Sequence, residues 1–139
     1  MIDFEPLRNN KGAILFSAQE LKCKGSGGIR LARGFAEHLI DLREAFGQPM
    51  RVLSCCRSTN YNKKVGGALK SFHIYDDPNL PANGTCAIDI ATPNIIEKDR
   101  LFHLAKSKGW SIGVYKNFLH LDRRSDYLDV NPLIFHRES

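Results

Sequence analysis

No apolar run in this chain approaches the roughly 18 residues that a membrane-spanning helix needs, and that absence excludes a helical membrane span. Internal repeats, low-complexity tracts and any linker long enough to divide the chain are also missing, so residues 1–139 are expected to form one domain. A chain of this length buries roughly two-thirds of the surface it exposes when unfolded, enough to fold without staples. Cysteine is scarce and ill-spaced. Cys23, Cys55, Cys56 and Cys86 include an adjacent pair and form neither a zinc-knuckle nor a redox spacing, so they read as reduced thiols. The opening "MIDFEPLRNNKGAILFSAQ" carries acid where a secretory leader is basic, and "GAILF" is too short for a leader's apolar segment. The protein is expected to be made in the cytoplasm and to reach any outer site by another route.

Concentrated basic charge is absent too. The net charge is +5, which suits an anionic partner such as nucleic acid or an acidic wall polymer. The lysines and arginines are scattered, however, with no long basic run and no RNA-binding aromatic signature, so a solvated basic surface is the preferred reading over a nucleic-acid footprint. Neither nucleic acid nor membrane is expected as a partner.

What is present is a mixed pattern of helix and strand. After the loop "CKGSGG", Leu31, Phe35, Leu39, Leu42 and Phe46 recur at helical spacing, predicting an amphipathic helix over 29–46 that Gly47 and Pro49 stop. "MRVLS" at 50–54 reads as a short buried strand, and "TNYNKKVGGALKS" as a helical turn ending at Gly66 and Gly67. A second strand is expected over 86–91. Asn94 with Glu97 three positions on marks the start of a helix over about 95–108, closed by Gly109. "WSIGVY" and "FLHLD", separated by Lys116 and Asn117, then read as a tight hairpin. This order predicts an α+β domain with helices packed on a small antiparallel sheet.

Alternation along the strands isolates three polar groups. In "FLHLD" it sets Phe118, His120 and Asp122 opposite Leu119 and Leu121, and in "CAIDIA" it sets Ala87, Asp89 and Ala91 opposite Ile88 and Ile90. Burying Asp89 is costly unless something positive lies beside it. Two imidazoles, His73 and His120, with the Asp89 carboxylate make a ligand set that suits Zn2+ with one position left open. Their spacing forms no compact ligand motif, so the pattern alone leaves each histidine open as an ordinary core or surface residue.

The neighbouring residues add a resemblance. Ser54, Arg57 and Ser58, then Asn62, Gly66 and Gly67, then Ser71 and His73, then Ala87 and Asp89, and finally His120 and Asp122 form five ordered motifs. With "FSAQELKCKGSGG" and "HLIDLREAFGQPMRV" upstream, the chain resembles the zinc D-alanyl-D-alanine carboxypeptidase and endopeptidase family, which shares its fold with the Hedgehog signalling domain; the likeness is to small bacterial and phage members. The resemblance implies His73, Asp89 and His120 as zinc ligands. It also implies a peptidase acting on peptidoglycan peptides, either stems or cross-links, in a phage or bacterial wall-lytic or remodelling role.

Two departures from the family pattern stand out. His73 and Asp89 are sixteen residues apart where the family usually has seven, so "IYDDPNLPAN" reads as an inserted loop, either a rim of the substrate cleft or a tolerated surface insertion. Many relatives carry Asp or Glu three residues before the last histidine, where this chain has Asn117, and an amide takes no proton from water at neutral pH. Asp122 is therefore the expected catalytic carboxylate, shuttling a proton to the leaving amine, with a hydrogen bond orienting His120 or Arg57 as its other reading. Arg57 is expected to hold a substrate carboxylate or polarise its carbonyl, unless it serves only as a structural ion pair. Ser71 is expected to bind substrate, or else to cap the turn before His73. The rival to an enzyme is a zinc-binding but inactive module, either structural or wall-binding.

Overall fold

The computed structural model describes residues 4–137. In chain order, β1 (Leu7–Arg8) and β2 (Ile14–Phe16) form a small hairpin leading into α1 (Ala18–Leu21). There follow α2 (Phe35–Phe46), β3 (Val52–Ser54), α3 (Thr59–Lys64), β4 (Ala87–Ala91), α4 (Ile95–Ser107), β5 (Ser111–Val114), β6 (Phe118–Asp122), α5 (Arg124–Tyr127) and β7 (Ile134–His136). The class is α+β, as expected. A 5-stranded sheet of order β3-β4-β6-β5-β7 is antiparallel except at β7, which runs parallel to β5. No helix among the described residues is long and apolar enough to cross a membrane.

The α2 stripe buries Phe35, Leu39, Leu42 and Phe46, the period the sequence carries. The helix begins later than position 29 because Gly34, at φ +86°, breaks the helical path. Residues before it run beside the lead-in to β4 instead, with the Ala32 N–H donating to the Thr85 carbonyl at 2.9 Å. In α4 the Asn94 side chain caps the Glu97 N–H at 2.8 Å. The Glu97 carboxylate does not close the box; it accepts from Gln48 Nε2 at 2.9 Å and ties the helix to the turn after α2. The β5–β6 connection is a residue longer than the two-residue reading, with Tyr115 N–H donating to the Phe118 carbonyl around it.

The sheet supplies the core and the site from the same strands. Ile88, Ile90, Ile112, Leu119 and Leu121 are almost wholly buried and join the α2 and α4 stripes in one apolar cluster. Each such side chain removed from water stabilises the fold by roughly 1.5–3 kcal/mol. In the register of β4 and β6, Ile88 lies opposite Leu121 and Ile90 opposite Leu119, which fixes Asp89 opposite His120 on the other face. A one-residue slip of either strand would turn its own pair of apolar side chains out, so core burial sets the position of the polar pair.

Candidate metal centre

His73 enters from the loop after α3, Asp89 from β4 and His120 from β6. Each offers one ligand atom, and the three atoms lie within 4.8 Å of one another. Asp89 Oδ1 is the hub: His73 Nε2 stands 3.1 Å from it and His120 Nδ1 2.9 Å. The chain brings these three side chains together from positions far apart in sequence.

The far side of each ring decides what its near side can do. His73 Nδ1 lies 2.7 Å from the Cys55 carbonyl, which only accepts, so Nδ1 carries the proton and Nε2 presents a lone pair. Burial holds His73 below the usual imidazole range against the opposing pull of Asp89, so the ring is neutral. A lone pair facing a carboxylate oxygen at 3.1 Å is an arrangement that a cation between them resolves. His120 donates from Nε2 to Asp122 Oδ2 at 2.8 Å and turns Nδ1 toward the same oxygen of Asp89. Its burial disfavours charge, but hydrogen bonds to Asp122 and Asp89 outweigh that and lift its pKa to about 9. Burial likewise opposes ionisation of Asp89, but the electrostatic pull of its two imidazole neighbours, His73 and His120, outweighs that and holds it well below the usual carboxylate range. Two imidazole nitrogens and one carboxylate, each oriented from behind, fit a divalent metal of borderline softness.

Asp122 does not open on the cleft. It is 0% exposed. Its oxygens accept from His120 Nε2, from the Arg124 backbone N–H at 2.9 Å, and from Arg124 Nε and Nη2 at 2.9 and 2.7 Å. A carboxylate so enclosed and so occupied stands behind His120, the position of an orienting group, and has no free face toward a leaving amine. Alternation does place it on the side of the sheet that carries His120; what the strand pattern cannot show is that α5 folds back and seals it with Arg124. Asn117 is exposed in the β5–β6 turn, where its carbonyl accepts from Thr92 N–H at 3.0 Å.

Arg57 does face the cleft. Its Nε donates to Ser54 Oγ at 3.0 Å, Nη1 to Asn62 Oδ1 at 3.2 Å, and Nη2 stands 3.6 Å from Asp89 Oδ2. Asn62, buried in α3, is fixed in turn by donating to the Ala68 carbonyl at 2.8 Å. The Gly-Gly motif explains itself here, since a Cβ on Gly67 would come within 2.1 Å of Asn62 Oδ1 and 2.9 Å of Arg57 Nη1. Ser71 lines the cleft, and its Oγ accepts from the His73 N–H at 3.1 Å, so it caps the turn that presents His73.

These groups open on a cleft of about 530 Å³, walled also by Phe72, Tyr115, Phe118 and Phe135. None of the residues from Ile74 to Asn83 lines it, so the inserted loop is not its rim. That loop faces the other way: Asp76 Oδ1 accepts from Thr59 N and Oγ1, both at 2.8 Å, and Tyr75 bonds Ser26 Oγ at 2.8 Å. The four cysteines are buried and unpaired, and burial with the nearby Asp122 charge pushes the Cys86 thiol up to about 12, away from the thiolate a metal would take. Sequence reasoning missed Arg124 and the β7 wall; an Arg two places beyond Asp122 was the only available signal for either.

A family model described as Peptidase M15 matches residues 14–122, a span that includes the strands and loops carrying all three candidate ligands. No curated protein sequence matches the chain.

Proposed function

The chain belongs to the peptidase M15 family, the zinc D-Ala-D-Ala carboxypeptidase family, and from that premise we propose that it is a zinc-dependent peptidase hydrolysing the stem or cross-link peptides of peptidoglycan. The observation that carries the reading is the convergence of His73, Asp89 and His120 at the floor of an open cleft. A wall-lytic or remodelling role, in a phage or a bacterium, goes with that substrate.

When bound, zinc supplies Lewis-acid polarisation of a peptide carbonyl and activation of water for attack on it. The chain's own residues position and complement that chemistry. The Cys55 carbonyl and the Asp122 carboxylate hold the two imidazoles in the tautomers that leave Nε2 of His73 and Nδ1 of His120 facing the centre. Arg57, braced by Ser54 and Asn62, directs its guanidinium into the cleft, where it can hold a substrate carboxylate or stabilise charge developing on a carbonyl oxygen. Phe72 and Phe135, with Arg124 against both rings, give the cleft an apolar wall that limits water around the scissile bond.

One observation favours a second reading, an inactive metal-binding module that docks on the wall: Asp89 is the one carboxylate among the described residues lining the cleft, so no free carboxylate stands ready for proton transfer. Digestion separates the two. Zinc-loaded protein incubated with purified peptidoglycan is expected to release D-alanine or stem-peptide fragments detectable by mass spectrometry, and to stop doing so when a chelator removes the metal. Binding to the wall without any new peptide end, with zinc loaded, would overturn the hydrolase reading in favour of the module.

A further inference from the structure

The cleft carries more positive charge than the metal centre accounts for. Arg57, Lys70, Arg124 and Arg137 line it, against the single carboxylate of Asp89. Two of these cations are already engaged, Arg124 by Asp122 and Arg57 by Ser54, Asn62 and Asp89. Lys70 and Arg137 pair with no carboxylate among the described residues. Adding a divalent cation at the floor makes the excess larger, so the field in the cleft favours a ligand bearing more than one negative charge.

Arg137 is held where such a charge would meet it. Its backbone N–H donates to the Val114 carbonyl at 2.8 Å, continuing the pairing of β7 with β5. Its guanidinium lies over the Phe135 ring, 5.1 Å from the centroid, and that ring stands 6.0 Å from the His120 ring. The placement of Phe135 depends on Gly113, where a Cβ would come within 2.6 Å of the ring. A guanidinium stacked on an aromatic face keeps its fork of donors free while losing part of its side-chain freedom in advance. This wall lies beyond the residues 14–122 that the family model matches.

We infer that Arg137, assisted by Lys70, is a specificity-determining residue that binds a second carboxylate of the peptide, one remote from the scissile bond. The inference rests on the peptide-substrate reading above. A γ-linked D-glutamyl residue with its α-carboxylate free has the required chemistry, and the same residue amidated lacks it.

Two synthetic stem peptides identical except for that acid or amide decide the matter, through both calorimetric titration and hydrolysis with the zinc-loaded full chain. The acid is expected to bind about tenfold more tightly than the amide, the low end for a charge-assisted hydrogen bond on an accessible rim. Arg137→Gln is expected to bring the ratio close to one by weakening the acid alone, Arg137→Lys to recover part of it, and Lys70→Gln to narrow it less. The loss should fall on KM rather than kcat. Equal affinity of wild type for the two peptides, no binding of either, or equal weakening of both by Arg137→Gln in a protein with an unchanged melting curve each overturns the inference. A preference in binding without cleavage would instead remove the hydrolase reading and leave this one standing.

Discussion

The two faces of the β4–β6 pair are built from alternating residues of the same strands, yet they are held by different forces. On one face Ile88, Ile90, Leu119 and Leu121 are 0–2% exposed and pack into the helices. On the other, Asp89 is buried and His120 half-buried, each oriented by polar neighbours, with the His73 lone pair left facing the Asp89 carboxylate where a cation would sit. The apolar face needs only volume and burial, and it sets the register. The polar face needs charge and direction, and it takes them from several elements: a backbone carbonyl at Cys55, the Asp122 carboxylate at the end of β6 sealed by α5, and a guanidinium braced by α3. Stability is therefore concentrated on one side and chemistry on the other, and substitutions on the two sides should fail differently.

The largest separation is expected between His120→Gln and Leu121→Ala, adjacent residues on opposite faces. His120→Gln should end hydrolysis and metal binding in a chain that still melts cooperatively. Leu121→Ala should lose about 2–5 kcal/mol of stability in denaturant titrations, from lost transfer energy and the cavity left behind, while its folded fraction still binds metal. If Leu121→Ala lost the metal at full stability, the division between the faces would be mistaken.

A smaller effect sharpens the polar side. Asp122→Asn keeps the shape but weakens the bond that orients His120, so metal affinity should fall by about 10–100-fold, the range typical of outer partners of a ligating histidine. Competition with a chromophoric chelator measures it. Unchanged metal affinity with hydrolysis abolished would return Asp122 to the proton-transfer role expected from sequence.

The pH dependence of the metal-free protein is smaller again. His120 has a folded pKa of about 9 against the ordinary 6.5. Because the folded value is the higher one, its contribution is fully present below about pH 6.5 and disappears as pH rises through 9. Thermal melts of the chelated protein should fall across that window, and His120→Gln should flatten the decline. A melting temperature that rises with pH there would show that His120 is not held charged by Asp89 and Asp122.

Much of this contrast was legible in the sequence because one device, strand alternation, writes both faces at once: the same reading that buried Leu119 and Leu121 pointed His120 and Asp89 to the other side. The α2 period was equally readable, whereas α4 buries only Leu101 and Ala105 and leaves the apolar Ile95 at its start exposed. What escaped was non-local. Nothing in "FLHLD" tells that the next residues turn back so that Arg124 closes over Asp122, and nothing in "IYDDPNLPAN" tells which way the loop faces. Its direction is set by Asp76 capping α3 and by Tyr75 reaching Ser26, contacts between residues 17 and 49 positions apart. The exposed residues around β7 carry too weak a pattern to announce a strand, and its pairing with β5 is a tertiary event.

The most direct test of the account is a calorimetric titration of zinc into chelator-treated, full-length protein beside a His73→Ala, His120→Ala double variant. The account predicts one saturable zinc site per wild-type chain, accompanied by proton release as the cation displaces the proton that His120 carries at neutral pH, and no such site in a double variant that remains folded by circular dichroism. Absence of saturable binding in the wild type, or undiminished binding in the folded double variant, would contradict it.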